Sequence, residues 1–248
     1  MRPILVITGA SRGIGAAIAM GAAKQGYDLA LAYRSRDDAA ARVAAECERH
    51  GARVLPVRAD VADESDVARL FTTVDAELGP LSGLVNNAGV TAPTARVEEI
   101  DAARVERLLR VNVVSAFVCC AAAVRRMSTR HGGTGGAIVN VSSRAAVLGS
   151  PGEYVDYAAS KAALDTLTVG LAKEVAAEGI RVNGVRPGLV RTEIHAHTGD
   201  PDRVRRLSPT VPLGRGGEAY EVAAAVLWLL SPEASYVTAA MLDVGGGR

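Results

Sequence analysis

The sequence predicts an α/β protein, a doubly wound parallel sheet with helices on both faces. Short apolar runs alternate with longer segments of helical periodicity along the whole chain. The runs are apolar at consecutive positions, as expected for strands that helices cover on both sides. The first run leads directly into a glycine-rich turn, which is typical of the first crossover in such a sheet. No linker or change in composition divides the chain, so we expect one domain over residues 1–248.

The predicted elements follow one another in a regular order. Strands are predicted at residues 4–7, 29–33, 53–57, 81–85, 137–141, 180–185 and 241–244. Helices are predicted at residues 13–25, 37–50, 63–78, 101–130, 157–178 and 218–230. Each helix lies between two strands, and this alternation favours parallel strands joined by right-handed crossovers. Residues 188–217 form the longest region without a clear strand and are a candidate lid over the site.

Composition argues against several classes of partner. The chain is 49% hydrophobic, which is enough for a buried core, and its net charge at pH 7 is only +1. That balance, with 4% aromatic residues, does not suggest a nucleic acid or a membrane surface as partner. No segment has the pattern of a signal peptide or a membrane span, so we expect a cytoplasmic protein. Cys47, Cys119 and Cys120 have no metal-ligand spacing, and no metal site is predicted.

A glycine-rich turn follows the first predicted strand, with Gly9, Gly13 and Gly15 before a helix. Glycine permits a tight turn and leaves room for a pyrophosphate against the N-terminus of that helix. The sequence therefore assigns dinucleotide binding to the three glycines and to the residues between them, Ser11, Arg12 and Ile14. The alternative is an ordinary turn with glycine caps.

The end of the second strand bears on which dinucleotide binds. An acidic residue there would bind the ribose 2′-hydroxyl of NAD, but the strand ends in Arg34 and Ser35, and the first acid is Asp37. The guanidinium groups of Arg34 and Arg12 can instead bind a 2′-phosphate. The sequence predicts NADP(H) as the preferred cofactor, with NAD(H) as the alternative if both arginines are merely solvated.

Two further strand ends carry candidate cofactor contacts. Asp60 and Val61 follow the third strand and are placed to contact the adenine, and Asn87, Ala88 and Gly89 follow the fourth strand at the same edge of the sheet. A tight turn of this composition can pass close to a ligand. Asp60 is equally explained as a helix N-cap, and Asn87 as a turn former.

The most informative pattern is a tyrosine followed four residues later by a lysine, Tyr157 and Lys161, with Ser142 and Ser143 upstream. Positions i and i+4 lie on one face of a helix. A lysine ammonium beside a phenol lowers the pKa of the phenol, and a serine hydroxyl can hold a carbonyl or alcohol oxygen. These residues predict proton transfer between a carbonyl and an alcohol. Alone, the spacing also fits an exposed lysine beside a half-buried tyrosine.

These motifs together resemble the short-chain dehydrogenase/reductase family, in its compact single-domain branch. The resemblance covers nearly the whole chain and rests on the order and spacing of residues 8–15, Asp60, residues 86–89, Asn112, Ser143, Tyr157, Lys161, Pro187 and Gly188. It implies a Rossmann fold with a seven-stranded parallel sheet and an NAD(P) cofactor. Members of the family commonly form homo-tetramers, so a tetramer is expected here.

The resemblance also implies individual roles. Tyr157 is expected to be the acid/base, Ser143 to orient the substrate oxygen, and Lys161 to hold the nicotinamide ribose and lower the pKa of the tyrosine. Asn112 is expected to hold a water in a proton relay, although its amide could also satisfy backbone groups at a helix kink. Contacts to the nicotinamide end of the cofactor are expected from Pro187, Gly188, Val190 and Thr192.

The chain departs from the family pattern in three places. Ser143 and Tyr157 are 14 residues apart (157 − 143), one more than the commonest spacing, so we expect an altered substrate-facing loop within residues 150–156. The adjacent Ser142 leaves a choice between two serines. Thr238 is followed by Ala239, where the family often has glycine.

The leading interpretation is an NADP-dependent oxidoreductase that transfers hydride between a nicotinamide and a small-molecule carbonyl or alcohol. An NAD-dependent sugar or polyol dehydrogenase on the same scaffold is the alternative. A nucleotide-binding sensor without chemistry is the third interpretation, but a sensor should have lost one of the four catalytic residues, and all four are present.

Two groups in the candidate lid are left open by the sequence. His195 and His197 lack an evident third metal ligand, so a solvated or substrate-contacting role is favoured. Arg203, Arg205 and Arg206 form a basic cluster that could meet an acidic substrate or be solvated surface.

Overall fold

The computed structural model describes residues 2–193, 200 and 202–248. Its strands are β1 (Ile4–Thr8), β2 (Asp28–Tyr33), β3 (Val54–Arg58), β4 (Leu81–Asn86), β5 (Gly136–Val141), β6 (Ile180–Pro187), β7 (Val190–Arg191), β8 (Gly217–Glu218) and β9 (Met241–Val244). Seven of them form one parallel sheet in the order β3-β2-β1-β4-β5-β6-β9, whereas β7 and β8 pair separately. The predicted seven-stranded parallel sheet is confirmed.

Helices cover both faces of this sheet. They are α1 (Gly13–Lys24), α2 (Asp37–Glu48), α3 (Glu64–Glu77), α4 (Ala102–Leu109), α5 (Ser115–Met127), α6 (Ala145–Leu148), α7 (Val155–Val175), α8 (Arg203–Leu207) and α9 (Ala219–Leu230). Alternate strand residues point to opposite faces. Leu5 and Ile7 pack against α1, α2 and α9, while Ile4 and Val6 pack against α3, α5 and α7. The consecutive apolar positions of the sequence therefore fill two separate cores.

The strand order reverses between β1 and β4. From β1 the chain continues outward to β2 and β3, and then returns to place β4 on the other side of β1. In doubly wound sheets, ligands bind in the crevice outside the carboxyl ends of the strands at such a reversal. Thr8, Asn86 and Val141 end β1, β4 and β5 there, immediately before loops that carry predicted site residues.

The helix predicted at residues 101–130 is interrupted, and that prediction was wrong in detail. A π-helical turn, Arg110–Val114, joins α4 to α5, and the helix ends at Met127 because Ser128 has extended backbone. The turn contains Asn112. Single π-helical turns inside α-helices are frequent at functional sites. Among the described residues, the stretch Ala102–Met127 is long and apolar enough to cross a membrane, but α5 packs on β4 between α3 and α7.

The candidate lid contains more regular structure than the sequence suggested. β7 pairs in parallel with β8, and α8 lies between them in the chain. Within this segment, Leu189, Val204 and Val211 form a small apolar cluster with Leu207 packed against it. His195 and His197 lie outside the described residues, as do the rest of residues 194–199 and residue 201.

Candidate active site

A cavity of about 510 Å³ opens at the carboxyl ends of the strands, and Tyr157 and Lys161 lie in its wall. Both residues belong to the first two turns of α7. Lys161 is buried, and its Nζ donates a hydrogen bond to the carbonyl oxygen of Val141 at 2.9 Å. The same Nζ lies 5.9 Å from the ring centroid of Tyr157. The structure thus places ammonium and phenol side by side in the crevice, as the spacing predicted.

The structure distinguishes the two adjacent serines. The Ser142 hydroxyl donates to the backbone oxygen of Lys161 at 3.1 Å, so it ties β5 to α7. Ser143 and Tyr157 line the same cavity, and the Ser143 hydroxyl opposes the rise in the pKa of the phenol. The Ser143 oxygen also accepts from the amide of Ala145 at 3.1 Å. Ser143 is therefore the serine that shares a site with the tyrosine.

Burial controls the ionisation of both central residues. It raises the pKa of Tyr157 to about 12, although the hydrogen bond with Ser143 opposes the shift. Burial also lowers the pKa of Lys161 to about 8, against the attraction of Asp165. The expectation that Lys161 makes the phenol acidic is therefore not met in this structure, because removing the phenolate from water outweighs its neighbours. At neutral pH Tyr157 is a protonated donor.

Asn112 holds the π-helical turn against the loop after β4. Its Nδ2 donates to the carbonyl oxygen of Val90 at 2.9 Å and to the Ser160 hydroxyl at 3.0 Å, and its Oδ1 accepts from the amide of Val90 at 2.8 Å. A Cβ added at Gly89 would lie 3.3 Å from both Asn112 Oδ1 and Lys161 Nζ. The amide thus satisfies backbone groups at a kink while lying near Lys161.

The glycine-rich turn forms a cradle that a side chain would fill. Gly9 and Gly13 have positive φ angles of 64° and 55°, and a Cβ on Gly15 would lie 2.4 Å from the carbonyl oxygen of Gly9. Asn87 fastens the turn, since its Nδ2 donates to the carbonyl oxygens of Thr8 and Gly9 at 3.0 and 3.1 Å. The close backbone and the N-terminus of α1 fit the pyrophosphate of a dinucleotide.

Most predicted cofactor residues line a second cavity of about 240 Å³ beside this turn. These are Gly9, Ser11, Arg12, Gly13, Ile14, Arg34, Ser35, Asp60, Val61, Asn87, Ala88, Gly89 and Thr192. Ile14, Asn87, Gly89 and Thr192 line the first cavity as well, where Pro187, Gly188 and Val190 join them. The two cavities therefore adjoin, with the predicted nicotinamide contacts on the side of Tyr157.

Three comparisons bear on the family. The family model described as enoyl-(acyl carrier protein) reductase matches residues 9–248. The uncharacterized oxidoreductase YgfF of Escherichia coli (strain K12) is 51% identical over 245 residues, which cover 99% of each chain. Carbonyl reductase family member 4 of Danio rerio is 40% identical, over 100% of this chain and 98% of its own.

Solved structures with the same fold include cofactor complexes. A blue fluorescent protein from a metagenomic library, in complex with NADPH, has a TM-score of 0.90 and 35% identity over 99% of this chain and 97% of its own. The 3-ketoacyl-(acyl-carrier-protein) reductase of Brucella melitensis, complexed with NADH, has a TM-score of 0.92 and 29% identity over 99% and 98%. A short-chain dehydrogenase/reductase of Serratia marcescens has a TM-score of 0.90 and 35% identity over 99% and 97%.

This chain belongs to the short-chain dehydrogenase/reductase family. It is an oxidoreductase of the class that acts on hydroxyl and carbonyl groups, and it carries the family's Rossmann fold from end to end. Two of these solved neighbours hold a nicotinamide dinucleotide.

In this short-chain dehydrogenase/reductase the second cavity has a charged end that the sequence only partly predicted. Arg34 is 3.9 Å from Asp60 and is largely exposed. Arg12 and Arg36 instead converge on one carboxylate oxygen of Glu193, at 3.2 and 2.6 Å. Arg36 and Glu193 were missed, although the Arg-Ser-Arg order of residues 34–36 places a second guanidinium on the same side of an extended chain.

Side-chain geometry also decides the roles of Asp60 and of the basic cluster. The N-cap of α3 is Asp63, which accepts from the amides of Ser65 and Asp66, so Asp60 is not the cap.

The basic cluster of this short-chain dehydrogenase/reductase is neutralised locally: Arg205 pairs with Asp202, Arg206 with Asp200, and Arg203 with Glu153. In the described part of the chain, no three His, Cys, Asp or Glu side chains gather as metal ligands.

Proposed function

We propose that this oxidoreductase uses NADP(H) to interconvert a small-molecule carbonyl and the corresponding alcohol, with Tyr157 as the acid/base. The observation that carries the proposal is that Ser143, Tyr157 and the buried Lys161 line one cavity, with Lys161 Nζ 5.9 Å from the ring centroid of Tyr157. Two hydroxyl donors at one point suit a single oxygen that gains negative charge. A bound cofactor would supply the hydride.

The residues of the chain divide the remaining work. In reduction, Tyr157 gives its proton to the substrate oxygen while Ser143 donates a hydrogen bond to that oxygen. Lys161 holds the nicotinamide ribose together with Tyr157, and Asn112 holds the proton relay behind Lys161. Contacts at the nicotinamide end come from Pro187, Gly188, Val190 and Thr192, which line the same cavity as Tyr157.

A panel of substrates tests this function directly. NADPH and NADH oxidation would be followed by absorbance with ketones, aldehydes, 3-oxoacyl thioesters and enoyl thioesters. Reduction of carbonyls supports the proposal. We expect carbonyls to be reduced in preference to the carbon–carbon double bond of an enoyl thioester, because the Ser143 and Tyr157 hydroxyls can both donate to a carbonyl oxygen. Turnover of enoyl thioesters alone, or of none of these compounds, would reject it.

Charge supports NADP(H) over NAD(H). Arg34 and Arg36 follow the end of β2, Arg12 follows β1, and all three line the second cavity. Positions 34 and 35, directly after β2, hold no acidic residue. Glu193 also shows that Arg12 and Arg36 can close together on one anionic oxygen. A 2′-phosphate offers such oxygens with greater charge.

Reversing one charge at this end tests the cofactor preference. We expect Arg36→Asp and Arg34→Asp each to weaken NADPH binding by about tenfold or more, because a hydrogen bond to a charged group contributes about 1.5–3 kcal/mol. NADH binding should change little, so the preference shifts toward NAD(H). Calorimetric titration with both cofactors gives the ratio. Arg42→Asp on α2, where Arg42 pairs with Asp38, makes the same charge change elsewhere and should leave the ratio as it is. If the ratio of NADPH to NADH affinity is unchanged in both Arg34→Asp and Arg36→Asp, the proposed preference for NADP(H) is rejected.

The ionisation of Tyr157 predicts opposite pH dependences for the two directions. Because burial raises its pKa to about 12, the phenol is protonated at neutral pH and ready to donate, whereas alcohol oxidation needs the phenolate. We expect initial rates of oxidation to rise between about pH 7 and about pH 9, and rates of reduction not to rise. Rates at saturating cofactor and substrate measure both. Oxidation that is independent of pH over this range would contradict the assignment of Tyr157 as the base.

Exposed apolar faces support self-association into a tetramer. Leu109, Val114 and Phe117 are exposed along α4, the π-helical turn and α5, and Trp228 and Leu242 are exposed on α9 and β9. Two separate apolar surfaces are what a dimer of dimers requires. We propose a cytoplasmic homo-tetramer that acts on small molecules.

A further inference from the structure

A buried arginine joins the C-terminal part of the candidate lid to the loop before α7. The side chain of Arg203, at the start of α8, is only 5% exposed. Its Nη1 and Nη2 donate to the two carboxylate oxygens of Glu153 at 3.0 and 2.5 Å, and Nη2 also donates to the Tyr154 hydroxyl at 2.5 Å. A guanidinium leaves water at low cost only when it is paired this fully.

The same contacts extend to Tyr157. The Arg203 guanidinium carbon lies 5.1 Å from the ring centroid of Tyr154. The Tyr154 ring in turn meets the Tyr157 ring edge-on, with centroids 5.7 Å apart and an interplanar angle of 85°. Tyr154 is the N-cap residue of α7, and Tyr157 lies in the first turn of that helix. The ring of Tyr157 is therefore supported by a ring that Arg203 holds.

These residues lie next to the candidate catalytic residues. Glu153 and Tyr154 belong to the segment between α6 and α7, which lies between Ser143 and Tyr157 in the chain. With Arg203 they line the same cavity as Ser143 and Tyr157. Both terminal guanidinium nitrogens of Arg203 donate to the Glu153 carboxylate, so this pairing competes with any hydrogen bond from Arg203 to an anionic substrate.

We propose that Arg203 is a positioning residue for Tyr157: it docks α8 on Glu153 and, through Tyr154, holds the phenol of Tyr157 toward the cavity. The chemistry of that phenol rests on the proposed function, but the coupling between α8 and α7 does not. Small displacements of a catalytic group are costly, since misplacement by about 1 Å can reduce a rate on the order of a hundredfold.

Arg203→Lys is the first test, because lysine keeps the charge and loses the two-pronged geometry. We expect kcat for the best carbonyl substrate to fall by about ten- to a hundredfold, since Tyr157 is no longer held. NADPH affinity should stay within about twofold. Arg205→Lys is the matched control: Arg205 lies on the same helix, is 82% exposed and pairs with Asp202. Equal kcat and KM values in the two variants would overturn the proposal, and so would a rise in KM alone, which indicates direct substrate contact.

A second variant guards against simple unfolding. Tyr154→Phe keeps the ring edge against Tyr157 and loses only the hydroxyl that accepts from Arg203. We expect a smaller loss of kcat than in Arg203→Lys, and a less than additive effect when both changes are combined. Strict additivity would show that Arg203 does not act through Tyr154 and would overturn the proposal.

Hydrogen exchange separates this proposal from the proposed function. With NADPH bound, amides of residues 150–158 and 203–211 should exchange faster in Arg203→Lys than in Arg205→Lys. If the wild-type protein reduces no carbonyl but this coupled exchange appears, the coupling stands and only the proposed function fails. If the wild-type protein reduces carbonyls and exchange in residues 150–158 does not respond, the coupling fails.

Discussion

Tyr157→Phe is expected to reduce turnover by about a hundredfold to ten-thousandfold, the usual contribution of a positioned acid or base. The substitution removes one hydroxyl and keeps the ring, so the edge-on contact with Tyr154 remains. The proton donor is lost, and so is the interaction through which Ser143 lowers the pKa of the phenol. Initial rates of NADPH oxidation with the best carbonyl substrate measure the change.

Two further measurements make that result specific to chemistry. NADPH affinity should fall by about tenfold or less in Tyr157→Phe, the cost of one hydrogen bond to the ribose, because most of the second cavity is lined by the turns after β1, β2 and β4. Tyr220→Phe is the matched control, since it removes the same atom from an exposed tyrosine on α9. If Tyr157→Phe keeps most of its activity, Tyr157 is not the acid/base.

Local patterns in the sequence were sufficient to predict the sheet and the turn that follows β1. Consecutive apolar residues such as Leu5 and Val6 indicate a strand that is buried on both faces of the sheet, and this pattern lies within the strand itself. Glycines at positions 9, 13 and 15 report a backbone that approaches its neighbours too closely for a side chain. These features depend on a few adjacent residues, and so they are readable from a single chain.

Features that depend on distant residues were not predictable in the same way. The π-helical turn exists where Asn112 bonds the backbone of Val90, which is 22 residues away in the chain. Glu193 meets Arg12 across 181 residues, and nothing near either residue indicates the pairing. The pKa of Tyr157 was expected to fall because only its helical neighbour Lys161 was visible in the sequence. The burial that raises the pKa is created by the surrounding fold.

The assignment of Arg203 illustrates the same limit. Three arginines within four residues suggested one basic surface, yet the structure turns them to three different acids. Arg205 and Arg206 remain at the surface, where their ion pairs contribute little to stability. Arg203 is buried, and breaking its pair with Glu153 would leave an uncompensated charge in the wall of the cavity.

Gly15→Ala should produce the second large effect, the loss of binding to both NADPH and NADH. The added methyl group would lie 2.4 Å from the carbonyl oxygen of Gly9 and 2.5 Å from Asn87 Nδ2. The first of these neighbours is backbone, so the turn itself must move, and Asn87 is the side chain that fastens the turn to the end of β1. We expect both affinities to fall by about tenfold or more, because the displaced turn loses hydrogen bonds to the charged pyrophosphate, which contribute about 1.5–3 kcal/mol each. Calorimetric titration with each cofactor measures the loss.

Gly170→Ala separates this steric effect from the substitution itself. Gly170 lies within α7, and an added Cβ there meets nothing within 4 Å. Alanine in a helix interior should raise the free energy of unfolding by about 0.5–1 kcal/mol and leave both cofactor affinities unchanged. In contrast to the charge variants at Arg34 and Arg36, Gly15→Ala should affect NADPH and NADH equally, because the pyrophosphate is common to both. A loss confined to NADPH would show that the turn does not hold the pyrophosphate, since only the 2′-phosphate distinguishes the two cofactors.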